Sequence, residues 1–540
     1  MLNVEPPNSV LHAKSGPGTF WSTTNVGEAF PGVVTPLSWS LCGPSVEVGI
    51  RDAYARIGAL PRREVRVPEK VEDRLISVFH GRGALNVNFF CRMGAHLPGA
   101  QPDAIARQFL GELPDEIPTK SSYRRLPIVA VKTVYTQATV KNDILRRTAS
   151  VFPWWQQEIG RVATLDFVEA KYQFGVARDT FTEMLRIQAA GLFVAVQGVY
   201  DRLLHLFEQV SLDDQTANAI LAGQGSHVET TMIVDLWRLA HGEIPMDEFL
   251  RRHGYHGPLE GEVSSTVWRE DPEPVLRLAR RYATVDEDPR AGAHSRQLAR
   301  KDAERALIGT LPRTQRAYAR MLLNAAVSRI PLRGVAKAAF LQALDVARGT
   351  ARTMGGHLAA RGVLASPEDV FYLTADELQL ASTSSDFQCL VEERRAQRAQ
   401  FESVVLPSHW QGTPVPISAA PPVTADSTVR GIGASGGVAE GTVRVVTDPA
   451  GADIEPGEIV VCESTDPSWA STLFLSSALV VDIGGLLSHA AVVAREIGVP
   501  CVIGTSNGTR ALRTGDRVLV NGNTGTVEVI HRRDTKGIEV

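Results

Sequence analysis

His489 stands where residue type and spacing most clearly suggest chemistry in this chain of 540 residues. It lies in VVDIGGLLSHAAVVAREIGVPCVIGT, Val480 to Thr505. An apolar strand runs into Gly484-Gly485, a short turn follows, and the histidine falls in the first turn of a helix. Ser488 is placed to cap that helix and Gly498 to stop it. A neutral imidazole nitrogen is a nucleophile, and the positive end of a helix disfavours imidazolium, so this placement keeps the ring reactive. A phosphate carried on the ring would be an anion beside free backbone N–H groups, where anions bind well. The paired glycines let a phosphate donor or another backbone approach closely.

Discharging such a phosphate to a hydroxyl needs a base near the hydroxyl and cations around the moving group. The segment RRHGYHGPLEGE offers His253, His256, Glu260 and Glu262 within ten residues, among glycines that suggest a tight, non-helical loop. His256 is the first choice for general base or substrate-orienting residue, with Glu260 and Glu262 behind it. The alternative is a hydrogen-bonded structural histidine beside surface carboxylates. Arg329, Arg333 and Lys337 recur every four residues. Pro331 is expected to start a helix, which puts Arg333 and Lys337 on one face and Arg329 just before it. They could hold phosphate, or form an ordinary solvated cationic face. Thr35, Pro36 and Trp39 could line a pocket wall or pin an N-terminal arm to the core.

These residues need a scaffold. Residues 1 to about 55 read as an ordered, wrapping arm, because Trp21, Phe30 and Trp39 need burial. Short strands and turns are suggested between about 70 and 155, in RLISVFHGRGALNVNFF and LPIVAVKTVYTQ. Helix-period apolar positions then dominate 160–210, 213–241, 273–285 and 290–350. Ser366 and Thr374 each mark a helix start. Residues 406–428, rich in Pro, Ser and Thr, read as a flexible linker. From Val429 to about Ile530, Val/Ile runs bounded by Gly, Pro and Asp read as strands of a compact sheet domain. The expected layout is multidomain: a mainly helical substrate domain with some β over 1–405, the linker, a small β/α domain over 429–530, and a tail over 531–540.

The His489 stretch resembles the phosphohistidine swivelling domain of the phosphoenolpyruvate-utilising enzymes. Their motif of Gly-Gly, two residues, Ser/Thr/Cys-His, small residues, Ala-Arg-Glu and Gly-Ile/Val-Pro is met by Gly484, Gly485, Ser488, His489, Ala494, Arg495, Glu496, Gly498 and Pro500. The resemblance extends upstream through TDPSWASTLF and GIGASGGVAEGTVRVV. It implies that His489 carries phosphate, with Gly484, Gly485, Ser488 and Arg495 around the phosphate or substrate. NVGEAFPGVVTPLSWS, GYHGPLEGEVSSTVWREDP and PEDVFYLTADEL resemble the substrate domain of the rifampicin phosphotransferase branch, and the domain order is the same. Members of that branch begin with an ATP-grasp domain, for which there is no room before Asn25, and no Walker-type loop is present. The resemblance therefore implies a separate ATP-grasp subunit holding ATP and Mg2+, as in the split phenylphosphate synthase. It would transfer the β-phosphate of ATP to His489. The acceptor is expected to be a small, hydrophobic, hydroxylic molecule. A phosphocarrier or regulatory ligand-binding protein without turnover is the alternative.

Composition narrows the remaining classes. Lys and Arg number 56 against 60 Asp and Glu, a formal net charge of -4, which gives no global field for nucleic acid or anionic membrane. Five scattered cysteines without a C-x-x-C pair speak against a disulfide framework and a structural zinc site, and no metal site is read in this chain. With no basic, apolar leader and no apolar run near the ~20 residues that span a bilayer, the expected location is the cytoplasm.

Overall fold

The computed structural model describes residues 9–533 apart from 25, 31, 98–100, 111–112, 118–122, 223–226, 287, 383–385, 418–427, 447–453, 466–468 and 486–487. The strands are β1 (Phe20–Ser22), β2 (Ile76–Phe79), β3 (Arg82–Asn86), β4 (His409–Gln411), β5 (Thr428–Arg430), β6 (Ile432–Ser435), β7 (Val438–Val446), β8 (Ile459–Cys462), β9 (Ala478–Val481), β10 (Cys501–Ile503), β11 (Arg517–Asn521) and β12 (Thr526–His531). The helices that matter below are α1 (Pro36–Arg56), α2 (Leu126–Thr148), α3 (Phe167–Ala190), α4 (His227–Ala240), α5 (Met246–His253), α6 (Glu273–Tyr282), α7 (Pro289–Thr310), α8 (Arg313–Arg329), α9 (Leu332–Ala359) and α10 (His489–Ile497). The chain folds into two compact units. One holds 1–197, 261–265 and 335–420; the other holds 198–260, 266–334 and 421–540.

In the first unit a four-stranded sheet runs β2-β3-β1-β4. The arm reading of the N-terminal residues holds for β1, which pairs antiparallel with both β3 and β4. The linker reading fails at His409–Gln411, which are a strand. Trp410 supplies the physical reason: its ring lies 5.4 Å from Phe79, which in turn lies 5.0 Å from the fully buried Trp21. Burial of large aromatic surface outweighs the local Pro and Ser content. Residues 418–427 of the expected linker lie outside the described residues, as does the tail from 534.

A second expectation needs correction. LPIVAVKTVYTQ is not strand; it opens α2, a helix of 23 residues. Its β-branched residues are divided by a helical period. Val129, Thr136, Val140, Ile144 and Thr148 are buried, whereas Val131, Val134 and Tyr135 are 72%, 73% and 70% exposed. Tertiary packing along one face overrides β propensity here. The helix starts expected at Ser366 and Thr374 are both present as capping boxes, with Asp369 and Glu377 as the reciprocal partners.

In the second unit an eight-stranded sheet runs β5-β12-β11-β7-β8-β9-β10-β6. Strands β7 to β10 are parallel neighbours, and the outer pairs are antiparallel. Both faces of the parallel centre are buried, which is why its strands read as unbroken Val/Ile runs. Ile459, Val461 and Val480 face a core completed by Val518, Val520 and Val527. Val460, Leu479 and Val481 face the other way, against Ala490, Ala491 and Ala494 of α10 and against Met232, Phe249, Trp268 and Tyr282 of the helical segment. Tyr282 Oη donates to Ser471 O at 2.7 Å inside this core. The large helical part and the small β/α part are thus as the sequence pattern led one to expect in class. No helix among the described residues is long and apolar enough to cross a membrane.

Candidate functional site

The parallel pair β9 and β10 brackets α10, so the helix begins just beyond the carboxyl end of a central strand. In open α/β sheets that edge is where ligands bind. His489 is the first residue of α10, as the sequence suggested. Ser488 is its N-cap, with φ -61° and ψ 161°, and its Oγ accepts the Ala491 N–H at 3.3 Å. Ser488 N–H donates to Gly485 O at 2.8 Å, closing the turn that begins at the paired glycines. At the far end Gly498 adopts φ 78°, the left-handed stop that a side chain would strain. The first-turn N–H groups of such a helix lack helical acceptors and collect at its positive end.

Asp482 fixes the strand end from which this turn departs, and the sequence analysis missed it. Its buried carboxylate accepts Thr505 Oγ1 at 2.6 Å, Gly508 N–H at 2.5 Å and Thr509 N–H at 3.2 Å, together with the Thr509 hydroxyl. A single Asp at a strand end gives no local signal, because its partners come from more than twenty residues away. Arg495 lies in the last turn of α10. It is buried beside Tyr200, and six residues at about 100° each carry it well round the helix from His489. That position suits packing of α10. Burial also pushes the neighbouring Cys501 thiol up to about 12, against the lowering influence of Arg495.

The second cluster follows α5. The chain leaves the helix at His253 and makes the non-helical loop expected from its glycines. His256 N–H donates to His253 O at 3.0 Å, and Trp268 N–H to His256 O at 2.7 Å. Leu259 sits at φ 54°, a conformation unfavourable for a branched residue. That turn returns Glu260 to the imidazole, where its Oε1 lies 2.5 Å from His256 Nδ1. Both side chains are buried, at 3% and 4% exposure. In a neutral imidazole facing an ionised carboxylate, Nδ1 is the donor and Nε2 holds the lone pair. Nε2 of His256 and Oε2 of Glu260 are buried with no hydrogen-bond partner among the described residues. His253 does something else: its Nε2 lies 3.0 Å from Asp235, which also pairs with Arg238 and Arg252, both at 3.1 Å. Burial raises the Asp235 pKa, but the hydrogen bonds from His253 and Arg252 outweigh it and bring it from 3.8 to about 2. Burial lowers the His253 pKa.

Glu262 is engaged by the start of α1. Its carboxylate accepts Thr35 N–H at 3.0 Å, Thr35 Oγ1 at 2.7 Å, Ser38 Oγ at 2.5 Å and Ser264 N–H at 3.0 Å. It is an anion held at the start of α1, where it satisfies donors a helix N-terminus leaves open. Thr35 is the N-cap of that helix rather than a pocket wall. Trp39 lies edge-on to Phe30 at 6.3 Å and covers Gly43, where an added Cβ would meet its ring at 3.0 Å. Arg348 completes the anchor through Glu262 O at 3.2 Å and Val263 O at 3.1 Å. Arg333 and Lys337 lie one turn apart on α9, but that helix starts at Leu332, and Arg329 is the last residue of α8. Burial and the nearby Arg202 lower the Arg329 pKa.

Comparison with known proteins finds two matching stretches. Residues 454–525 match the mobile domain of the PEP-utilising enzymes, and 243–334 match the fourth domain of rifampicin phosphotransferase. These two stretches are similar to the phosphoenolpyruvate-utilising enzymes and, among them, to rifampicin phosphotransferase. The first match contains His489 and Asp482; the second contains the His256–Glu260 pair. An uncharacterised protein of Mycobacterium tuberculosis is 34% identical over 53% of this chain and 31% of its own length. The rifampicin phosphotransferase of Streptomyces sviceus is 37% identical over 32% of this chain and 20% of its own. That of Bacillus subtilis is 33% identical over 31% and 20%. The matched stretches thus span a third or less of these relatives.

Proposed function

We propose that this chain is the phosphohistidine-carrying component of an ATP-dependent phosphotransferase. A separate ATP-grasp subunit, with ATP and Mg2+, phosphorylates His489, and the phosphoryl group passes to a hydroxyl of a small, largely apolar organic molecule. The observation that carries this reading is the position of His489 as first residue of a Ser-capped helix at the carboxyl end of a parallel strand. In the transfer step the P–N bond to His489 breaks as a P–O bond to the acceptor forms. The acceptor's proton goes to His256 Nε2, whose lone pair is set by Nδ1–H donation to Glu260. Arg329 and Arg333 are the candidates for neutralising charge on the moving group. The names of the Streptomyces and Bacillus relatives, which specify phosphate transfer to rifampicin, support the reaction class. The test is acid-labile labelling of the chain by ATP labelled at the β-phosphate, alone and with host extract. Label that requires both the extract and His489 supports the proposal. Label that survives His489→Ala, or none with any extract, removes it.

A further inference from the structure

An open cavity of about 840 Å³ lies in the first unit between α1, α2 and α3, bordered by the short turn Arg62–Glu64. Its lining is unevenly charged. Arg56, Arg62, Lys132, Arg146, Arg147 and Arg186 face Asp52, Asp143 and Glu183, a surplus of three positive charges. The acids are already engaged. Asp143 pairs with Arg56 at 2.9 Å and with Arg147 at 2.8 Å, Asp52 pairs with Arg56 at 2.6 Å, and Glu183 pairs with Arg147. Two of the remaining cations have little to hold them. Arg62 is exposed, and among the described residues it forms no ion pair and Lys132 reaches only the Ala55 carbonyl, at 3.4 Å. Arg186 keeps its Nε buried with no partner among the described residues. A helix face that supplies cations and hydroxyls together, from Lys132 through Thr136 and Thr139 to Arg146, follows the i, i+4, i+7 spacing of one side of α2.

Mutual repulsion among cations in one concave site is unfavourable until a counter-charge enters, and concave walls concentrate the field. The volume lies within the range of small-molecule sites, roughly 300–1,000 Å³. We propose that this cavity binds a compact, multiply charged anion, either a condensed phosphate or a polycarboxylate. Arg62 and Lys132 supply the charge that the site's own acids leave unmatched, and Arg146 and Arg186 complete the ring. The proposal does not depend on phosphate transfer through His489.

The test is titration calorimetry of the full chain with inorganic pyrophosphate and, separately, with citrate, at about 50 mM salt, where the Debye length is still more than 10 Å. Saturable binding of either anion is expected. It should weaken about tenfold or more in the Arg62→Ala, Lys132→Ala double variant, and should persist in the Arg62→Lys, Lys132→Arg variant. Saturation by pyrophosphate alone assigns phosphate chemistry, and saturation by citrate alone assigns carboxylate chemistry. No saturable binding of either, or equal binding by the alanine variant, overturns the proposal. Thermal unfolding of each variant shows whether the fold is kept, and the charge-retaining variant separates lost charge from lost packing.

Discussion

Glu260 and Glu262 are two residues apart in one loop, and their surroundings are opposite. Glu262 accepts five donors from Thr35, Ser38 and Ser264, which engage both of its carboxylate oxygens. Glu260 meets His256 through Oε1, and among the described residues its Oε2 and His256 Nε2 have no hydrogen-bond partner. Leaving buried polar atoms unpaired costs about 1–3 kcal/mol each. The contrast teaches that two carboxylates from one loop can meet very different sets of donors, so carboxylate content alone does not tell them apart.

The widest separation between the two carboxylates should come from kinetics. His256→Ala should leave the acid-labile label on His489 intact and slow its discharge to acceptor by about 10²–10⁴-fold, the range for losing a positioned acid–base group. Glu260→Gln should act in the same direction through the wrong imidazole tautomer. Loss of labelling itself in either variant would contradict their assignment. Glu262→Ala should instead lower unfolding stability by about 3–5 kcal/mol, because several buried donors at the start of α1 lose their acceptor. Urea unfolding followed by tryptophan fluorescence measures this, and normal stability with lost discharge would reverse the comparison.

Acid should act on the neighbouring Asp235–His253 pair. Both folded pKa values are depressed, so each group contributes stability that is present above its unfolded value and is lost as pH falls through the folded one. For Asp235 that window runs from 3.8 down to about 2. Melting temperature should therefore fall with acid first through the histidine range and again below pH about 4, and Asp235→Asn should remove the second step. The smallest effect is at Ser488. Replacing this cap by Ala should cost about 1 kcal/mol, seen as faster amide exchange at Ala491 and slower labelling of His489.

How legible these features were depended on how local they are. The His489 motif is contiguous: strand, paired glycines, cap, helix and left-handed stop all lie within one run, and each has its own residue signal. The loop carrying His256 was legible from its glycines, and the Glu260 pairing lies only four residues away. The engagement of Glu262 was not legible because its partner Thr35 is 227 residues distant. Nothing in either segment alone says that one caps the other. The first turns of α2 were misread because Val, Ile, Thr and Tyr favour strands, and only the packed structure shows that their burial follows a helical period. Strand β4 was hidden by Pro and Ser around a single tryptophan whose ring belongs in the aromatic cluster.

The central claim, that His489 carries the phosphoryl group, is tested most directly by peptide mapping at alkaline pH. The chain would be incubated with ATP and host extract, digested, and sequenced by mass spectrometry. The account predicts one phosphorylated peptide, spanning Ser488 to Arg495, with the phosphate on His489 and none in the His489→Ala chain. Phosphate on His256 or His253, or on a hydroxyl residue with His489 unmodified, would contradict it.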